Sequence, residues 1–540
     1  VQVIRNSPLF SIASAVFHRR EVTRDQRYRD ALKTLESDSQ FAATVKLAGQ
    51  AEEARRDSDP RSTMLYAKVA LDCWPILSPT ESQIRDEQSA AVWEVYHHSV
   101  AQFVQQAKLH GQLDPIRQVT LTDDEDQTVS IPIIHHGFPW SPDDFGDLRL
   151  AEPSDDHSVK RYWVTPGLGV PLVAISQTEQ RSEFLSPQVP FSATCILRPS
   201  ETLPEDSHPD ASESQRLVHA VLELQDPLRI KRVSYQDRQW DLTRDLSAPL
   251  ALAAHEVHRE KFASFLHPGR PESRANLRMI EPSQKGKRPL IFVHGLLSDR
   301  FTWADLVNDL RSVQGLSEHY QIWSFQYPTG QSFVRSAAEL RKSLDKIVRD
   351  LDHEGDDEAL DHMVLISHSM GGLVSKLQVT ENKTAIWDSI ASRPVDQIEA
   401  SPEIRHEIEQ LFFFEPSSHV KRVIFIGTPH LGSPIATSLV GKLGTALVHT
   451  PSERATQFKE FIHANPHLFA GELTHRIPSS IDLLRPDNPM LLATYKVPVN
   501  PAERLHTIIV TGGEFSGGSP ADGVLAVESA RHPCNVSELL

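Results

Sequence analysis

No apolar run in this sequence approaches the ~20 consecutive residues that a membrane-spanning helix needs. The first residue is Val1, and no apolar segment of the signal-peptide type follows it. The sequence therefore predicts no transmembrane segment. We expect any targeting segment to have been removed or to lie upstream of Val1.

Cysteine is scarce. The three cysteines, Cys73, Cys195 and Cys534, are far apart and odd in number, which argues against both a disulfide framework and a thiolate metal cluster. Metal-ligand spacings and a phosphate-binding glycine loop with its lysine are also missing. We therefore predict no metal and no other cofactor.

Basic residues are too few to balance the acidic ones. The 55 lysines and arginines face 72 aspartates and glutamates, so the formal net charge is -17. A surface of this sign repels phosphate backbones, which makes nucleic acid an unfavourable partner. The hydrophobic content of 39% is ordinary for a globular protein, and 540 residues exceed what one core organises.

Three kinds of pattern follow one another along the chain. Residues 1–114 carry alanines, leucines and charges at helical spacing and predict a helical N-terminal region. Residues 115–281 consist of short apolar or alternating runs between turn-forming residues, which predicts a β-rich, sandwich-like module. Residues 282–540 form the last predicted domain.

Apolar strands alternate with amphipathic helices in this last domain. The predicted strands are 290–293, 322–327, 363–366, 423–426 and 506–510. Such alternation predicts a mostly parallel, doubly wound sheet covered by helices on both faces, which is an α/β fold.

Ser369 is the most informative residue of the domain. It lies in the stretch Ser-His-Ser-Met-Gly-Gly at 367–372, directly after a predicted buried strand. This order predicts a sharp turn that exposes the Ser369 hydroxyl before a helix begins. Ser367 and Gly371 are small enough for the turn to close, although glycine is usual where Ser367 stands. The alternative is a solvated Ser/Gly loop.

An acyl-transfer enzyme built on Ser369 needs two donors for the developing oxyanion. The stretch Phe-Val-His-Gly-Leu-Leu at 292–297 ends the first strand of the domain with a turn. The predicted donors are the backbone N–H groups of Leu296 and Met370. The ring of His294 is expected to brace this loop.

The orienting acid has two candidates. Asp482 lies in a helical stretch bounded by prolines, whereas Asp522 lies in a Gly/Pro loop beyond the strand at 506–510. A carboxylate at the carboxyl end of a strand fits the role better, so Asp522 is preferred. An ordinary turn-forming aspartate is the competing interpretation.

The general base should follow the acid in this chain order. Only His532 follows Asp522, and residues 537–540 have the pattern of the strand that would precede the base. We expect the catalytic histidine beyond Leu540, so that the chain as given would lack one member of its triad. His532 and His430 are weak substitutes.

Five motifs carry a resemblance over a little under half of the chain. They are Val-His-Gly-Leu-Leu-Ser at 293–298, Tyr-Pro-Thr-Gly at 327–330, His-Ser-Met-Gly-Gly at 368–372, Gly-Thr-Pro-His-Leu-Gly-Ser-Pro at 427–434 and Asp-Gly-Val at 522–524. Residues 289–540 resemble bacterial serine esterases and lipases of the α/β-hydrolase fold, a group that includes lipases similar to GPI inositol-deacylases. The resemblance implies Ser369 as nucleophile and Asp522 as acid, and it gives His430 a structural role.

Two segments interrupt the strand–helix alternation, near 382–420 and 440–504. Insertions at this place form the cap over a hydrolase site, and an apolar lining suits an acyl chain. A helical hairpin with its own core is an equal alternative.

The sequence therefore predicts a multidomain ester hydrolase that forms an acyl-enzyme on Ser369, with a small or lipid ester as substrate. An acyltransferase would use the same residues, and a non-catalytic scaffold would keep only the fold. The N-terminal half could bind a protein partner. Relatives are often exported, but the compartment stays open between export and the cytoplasm.

Overall fold

The computed structural model describes most of the chain. The described residues are 24–77, 87–122, 128–151, 159–177, 182–186, 188–200, 217, 219–235, 238–257, 275–433, 452–475, 477–509, 513–514, 520–521 and 526–539. They fall into two compact units. The first lies within Val1–Arg181, Pro187–His255 and Asn308–Ser317, and the second within Ser182–Ser186, Glu256–Val307 and Glu318–Leu540.

The first unit begins with helices, and one further helix follows its strands. These helices are α1 (Arg24–Glu36), α2 (Ala42–Arg56), α3 (Arg61–Cys73), α4 (Glu87–Leu109) and α5 (Ala248–Val257). The N–H of Arg61 donates to Oδ1 of Asp59 at 2.9 Å, which satisfies one of the free amides at the start of α3. In α4, the buried residues Val92, Tyr96 and Val100 recur every four positions, as one face of a helix requires.

An antiparallel sheet with one parallel pair completes the first unit. Its strands are β1 (Leu113–Asp114), β2 (Gln118–Thr122), β3 (Thr128–His136), β4 (Phe145–Leu150), β5 (Val164–Thr165), β6 (Val170–Ser176), β7 (Pro190–Pro199), β8 (Ala220–Gln225), β9 (Arg232–Tyr235), β10 (Arg238–Asp241) and β11 (Arg244–Asp245). The main sheet has the order β1-β2-β3-β8-β7-β6-β4, and only β3 and β8 are parallel in it. The helical and β-rich sequence patterns thus lie in one compact unit, and the predicted division into three domains stays a prediction.

The second unit is built on a mostly parallel sheet. Its strands are β12 (Asn276–Met279), β13 (Arg288–Val293), β14 (Tyr320–Gln326), β15 (Met363–His368), β16 (Val420–Ile426), β17 (Arg504–Ile508), β18 (Gly513–Glu514), β19 (Pro520–Ala521) and β20 (Asn535–Leu539). Among the described residues, the sheet order is β12-β14-β13-β15-β16-β17-β20, and only β12 is antiparallel to its neighbour. The five predicted strands of this domain are confirmed as β13 to β17, and the α/β class with them.

The strand order reverses at β13. The chain passes from β13 to β14 on one side and then to β15 on the other, with Val293 of β13 paired to Ser367 of β15. Loops that leave two such strands diverge and open a crevice at the carboxyl ends, which is where ligands of open α/β sheets bind.

Helices alternate with these strands along the chain, and residues 308–317, which include parts of the first two helices, belong to the first unit. The helices are α6 (Ala304–Ser312), α7 (Leu316–His319), α8 (Phe333–Leu351), α9 (Met370–Lys376), α10 (Ala385–Asp388), α11 (Pro402–Phe412), α12 (Ser452–Ala464), α13 (Ser480–Leu483), α14 (Pro489–Lys496) and α15 (Val527–Ala530). The longest of them, α8, begins at an N-cap in which Oγ of Ser332 accepts from the N–H of Arg335. Its buried face includes Ala337, Leu340 and Leu344, which follow one another at the spacing of three and four residues that one face of a helix requires.

No helix in the described ranges is long and apolar enough to cross a bilayer. The same residues contain no group of three or more histidine, cysteine, aspartate or glutamate side chains that could hold a metal ion.

Candidate active site

Ser369 occupies a sharp turn between β15 and α9. Its backbone has φ 52° and ψ -126°, a conformation that residues other than glycine rarely adopt and that costs about 1–3 kcal/mol. Two hydrogen bonds hold the turn: the N–H of Ser369 donates to the carbonyl of Ile426 at 3.0 Å, and its carbonyl accepts from Gly372 at 2.9 Å. Ser369 is partly exposed at the carboxyl end of β15.

The residues around Ser369 are small because the backbones approach closely. A Cβ on Gly371 would lie 2.5 Å from the carbonyl oxygen of Val293 and would overlap that of His294. A Cβ on Gly372 would overlap the side chain of Thr428. Larger residues at these two positions would therefore push α9 away from the strands it packs on.

The turn accommodates Ser367 at a position where glycine is usual. The side chain is fully buried, and its hydroxyl donates to the carbonyl of Ile424 on the neighbouring strand at 3.1 Å. The buried oxygen is thereby satisfied, so the serine fits without the cost of an unpaired polar group.

The loop after β13 lies directly beside this turn. A Cβ on Gly295 would lie 3.0 Å from Cβ of Ser369, so a larger residue there would require the neighbouring atoms to shift. The predicted oxyanion donors are the amides of Leu296 in this loop and of Met370 at the first position of α9. Among the described residues, neither amide donates to a protein acceptor. Both are therefore available to a ligand, as an oxyanion hole requires.

His294 braces the loop from within. Nε2 accepts from the N–H of Tyr327 at 3.2 Å, so Nδ1 carries the proton and donates to the carbonyl of Gly295 at 3.0 Å. The hydroxyl of Tyr327 donates to the carbonyl of His294 at 2.7 Å, and the two rings stack with centroids 4.4 Å apart. Burial lowers the pKa of His294 to about 4, so the ring is neutral near pH 7 and is enclosed by its partners.

Leu297, further along the same loop, has an unusual backbone conformation. Its φ is 56°, and half of its side chain is exposed. Its N–H donates to Oγ1 of Thr329, in the loop after β14, at 3.3 Å.

Of the two candidate acids, the structure describes only Asp482. Asp522 lies outside the described residues, so its role stays a prediction. Asp482 is buried, and Oδ2 accepts from the N–H of Ser479 at 2.8 Å and from its hydroxyl at 2.7 Å. This is a capping box at the start of α13, which gives Asp482 a structural task.

The two substitute bases lie in a buried cluster of basic side chains. The rings of His430 and His532 are 5.0 Å apart between centroids, and His430 also meets Phe425 edge-on. Both ring nitrogens of His430 and Nε2 of His532 have no hydrogen-bond partner in the part of the chain that the structure describes. Burial, followed by the nearby Lys376, lowers the pKa of His532 to about 3 and that of His430 well below 6.5. In the described ranges, neither ring bonds to the Ser369 hydroxyl.

Lys376 is the member of this cluster that sequence reasoning missed. It ends α9 and is fully buried, and Nζ donates to the carbonyls of Thr494 at 2.6 Å and Tyr495 at 3.0 Å. These carbonyls belong to the last turn of α14, where a cation is favoured. Burial lowers the pKa of Lys376 to about 7. Its place in the apolar run Leu-Val-Ser-Lys-Leu was the one available signal.

Aromatic side chains of the two insertions pack together. Trp387 is buried and contacts the rings of Phe412, Phe413 and Phe469, the last of which belongs to the second insertion. These aromatic side chains form a small core to which both insertions contribute. A cap over the site stays a prediction, and residues 434–451 lie outside the described ranges.

Neither a protein-family model nor a curated protein matches this chain. Solved structures of bacterial lipases and esterases match about half of it. The mature lipase BlEst2 of Bacillus licheniformis is 20% identical, with 50% of this chain and 89% of that chain covered and a TM-score of 0.28. The Staphylococcus hyicus lipase is 16% identical, with 47% and 82% covered and a TM-score of 0.28.

Phospholipase PlaB from Legionella pneumophila is also similar, at 15% identity and a TM-score of 0.27. The match covers 46% of this chain and 45% of the phospholipase, so it spans less than half of that protein. Because these TM-scores lie below 0.5, the likenesses add no argument on substrate or mechanism. The observed strands and helices define an α/β protein, and the site is described by its own geometry.

Proposed function

We propose that this protein is a serine hydrolase of the α/β-hydrolase fold that cleaves carboxylic esters through an acyl-enzyme on Ser369. The observation that carries the proposal is the backbone of Ser369, held at φ 52° between a buried strand and a helix and beside the Gly295 loop. Strain of this kind is retained where it serves presentation of a nucleophile.

The chemistry follows from the groups around Ser369. The hydroxyl oxygen attacks the carbonyl carbon of the ester while a general base takes its proton. The carbonyl oxygen becomes an oxyanion that accepts from the N–H groups of Leu296 and Met370. The C–O bond to the alcohol then breaks, the proton returns to the leaving oxygen, and water later hydrolyses the acyl-serine to a carboxylic acid.

Asp522 is proposed as the acid that orients the base. The capping role of Asp482 supports this choice, because its carboxylate is already bound by Ser479. Burial of His430 and His532 within the cluster around Lys376 supports neither ring as the base, since a base must reach the Ser369 hydroxyl. The base is not assigned to a described residue.

Labelling with a fluorescent fluorophosphonate tests the nucleophile. In the intact protein, we expect covalent labelling of the wild type, no labelling of Ser369→Ala, and retained labelling of the matched control Ser367→Ala. Wild-type protein that stays unlabelled, or label that persists in Ser369→Ala, contradicts the proposal. A series of nitrophenyl esters of increasing acyl length then defines the substrate class.

A further inference from the structure

The loop after β14 holds the loop after β13 at three points. The N–H of Tyr327 donates to Nε2 of His294, and the hydroxyl of Tyr327 donates to the carbonyl of the same residue. The third point is the bond from the N–H of Leu297 to Oγ1 of Thr329. Residues 294–297 of the loop after β13 are here called the oxyanion loop. The first two bonds hold this loop at His294, and the third bond holds it at Leu297.

The bond from Leu297 has a particular task. A leucine at φ 56° is strained, because its Cβ crowds the backbone in the left-handed region. The exposed side chain of Leu297 provides little packing to offset that strain. The hydroxyl of Thr329 accepts a hydrogen bond from the N–H of Leu297 in this conformation. The bond therefore opposes a change of the Leu297 backbone to a less strained conformation. A relaxed loop would turn the neighbouring amide of Leu296 away from its ligand.

Thr329 is itself held from the opposite side. It is only 4% exposed, and its carbonyl accepts from the hydroxyl of Ser480 at 2.5 Å. The N–H of Ser480 also donates to the carbonyl of Gly330 at 3.4 Å. Ser480 is the first residue of α13, whose start is fixed by the capping box of Ser479 and Asp482. The support of the oxyanion loop therefore begins about 150 residues away in the chain.

We propose that Thr329 is a positioning residue, which acts through the N–H of Leu297 to aim the amide of Leu296 at the oxyanion of the reacting ester. This role rests on the proposed ester hydrolysis at Ser369. In this role Thr329 acts through the N–H of Leu297, so we expect its contribution in the transition state, where the oxyanion forms, and hardly in the binding of unreacted ester.

Two substitutions at Thr329 test the role. Thr329→Val keeps the shape of the side chain but removes the acceptor oxygen, and Thr329→Ser keeps the oxygen but removes the methyl group. A displaced oxyanion donor costs up to about 100-fold in rate. With a nitrophenyl ester, we expect Thr329→Val to lower kcat by about 10- to 100-fold with KM within about threefold. Thr329→Ser should restore kcat to within about threefold of wild type.

A boronic acid supplies a second readout, because its tetrahedral adduct on serine places an oxygen in the oxyanion hole. The boronate should bind Thr329→Val more weakly by about the same factor as kcat falls. Thr507→Val is the matched control. The Thr507 hydroxyl is buried in β17 without a partner in the described ranges, so its loss should leave kcat and boronate binding unchanged. Thermal unfolding of each variant verifies that the protein is folded.

The outcomes separate the two proposals. Wild-type protein that hydrolyses esters, combined with Thr329→Val of equal kcat and equal boronate affinity, overturns the role of Thr329 alone. A rise in KM at unchanged kcat also overturns it, because that result assigns Thr329 to ground-state binding. Wild-type protein that neither hydrolyses esters nor reacts at Ser369 overturns the proposed function, and the positioning role with it.

Discussion

Individual residues of the site are explained by how closely backbones meet at the end of β15. Ser369 adopts a left-handed backbone although it has a Cβ, whereas Gly371 and Gly372 are required because carbonyl oxygens and Thr428 occupy the space that a Cβ would need. The identity of each residue therefore follows from one crowded junction, where β13, β15 and the loop after β16 meet α9.

The two aspartates allow a prediction at the residue scale. Asp522→Ala should lower kcat for a nitrophenyl ester on the order of 10⁴-fold without changing stability, because the base would lose its orienting carboxylate. Asp482→Ala should lower the free energy of unfolding by about 1 kcal/mol, because the start of α13 would lose its capping box. Ester kinetics and urea denaturation of both variants provide the measurement. Stability loss in Asp522→Ala with near-normal kcat, together with the rate loss in Asp482→Ala, would reverse the assignment.

At the scale of elements, the short helix α9 links the candidate nucleophile to the rest of its unit. It has seven residues, begins immediately after Ser369 and ends at Lys376. The ammonium of Lys376 binds the last carbonyls of α14, so the end of one helix is tied to the end of another. This contact compensates for the small number of hydrogen bonds that such a short helix forms by itself.

Lys376 predicts an unusual pH dependence of stability. Its pKa is about 7 in the folded protein and 10.5 for an unburied lysine, so between these values the unfolded chain holds one more proton. Stability from this group must then rise with pH, by at most about 1.4 kcal/mol per unit. In urea denaturation at pH 7, 8 and 9, the wild type should gain stability relative to Lys376→Met. Lys342→Met, at an exposed position of α8, should show no such pH-dependent difference. Parallel curves for wild type and Lys376→Met would contradict the lowered pKa of Lys376.

For the whole molecule, acid should act in part through buried imidazoles, among them His430 and His532. The pKa of His532 is about 3 and that of His430 is well below 6.5 in the folded protein, chiefly because of burial. The unfolded chain takes up these protons near pH 6.5, so stability from both groups is present above pH 6.5 and is lost as the pH falls towards 3. Lys376 interacts electrostatically with both rings, and His532 also contacts the ring of Tyr495 and accepts from the N–H of Cys534.

Urea denaturation at pH 7 and pH 5 measures this loss. We expect His430→Phe and His532→Phe each to reduce it by up to about 1.4 kcal/mol per pH unit. Any packing cost of the phenyl ring is the same at both pH values and cancels. The exposed control His353→Phe should lose as much stability as wild type. If all four proteins lose the same amount, the imidazoles are not the acid-sensitive groups.

Local pattern was sufficient for several features of the molecule. Strands β13 to β17, the face of α8 and the start of α3 follow from residues within one or two turns of one another, and periodicity reports such neighbours directly. β12 was missed because four alternating residues before the predicted domain boundary carry too little pattern. The three-domain division, the roles of Leu296, Met370 and Asp522, and the cap remain predictions.

Other features depend on residues that are distant in the chain, and the fold alone brings them together. The carbonyl of Thr329 accepts a hydrogen bond from the hydroxyl of Ser480, 151 positions further along the chain. Nζ of Lys376 donates to carbonyls more than 115 residues further on. The capping role of Asp482, which the sequence offered as a rival acid, is local but depends on α13 starting at Ser480. Hydrophobic periodicity arises from which face of an element is buried, so it specifies the elements. Hydrogen bonds between loops form only where two strand ends lie close together in space. Which strand ends are neighbours is decided by the order of strands in the sheet.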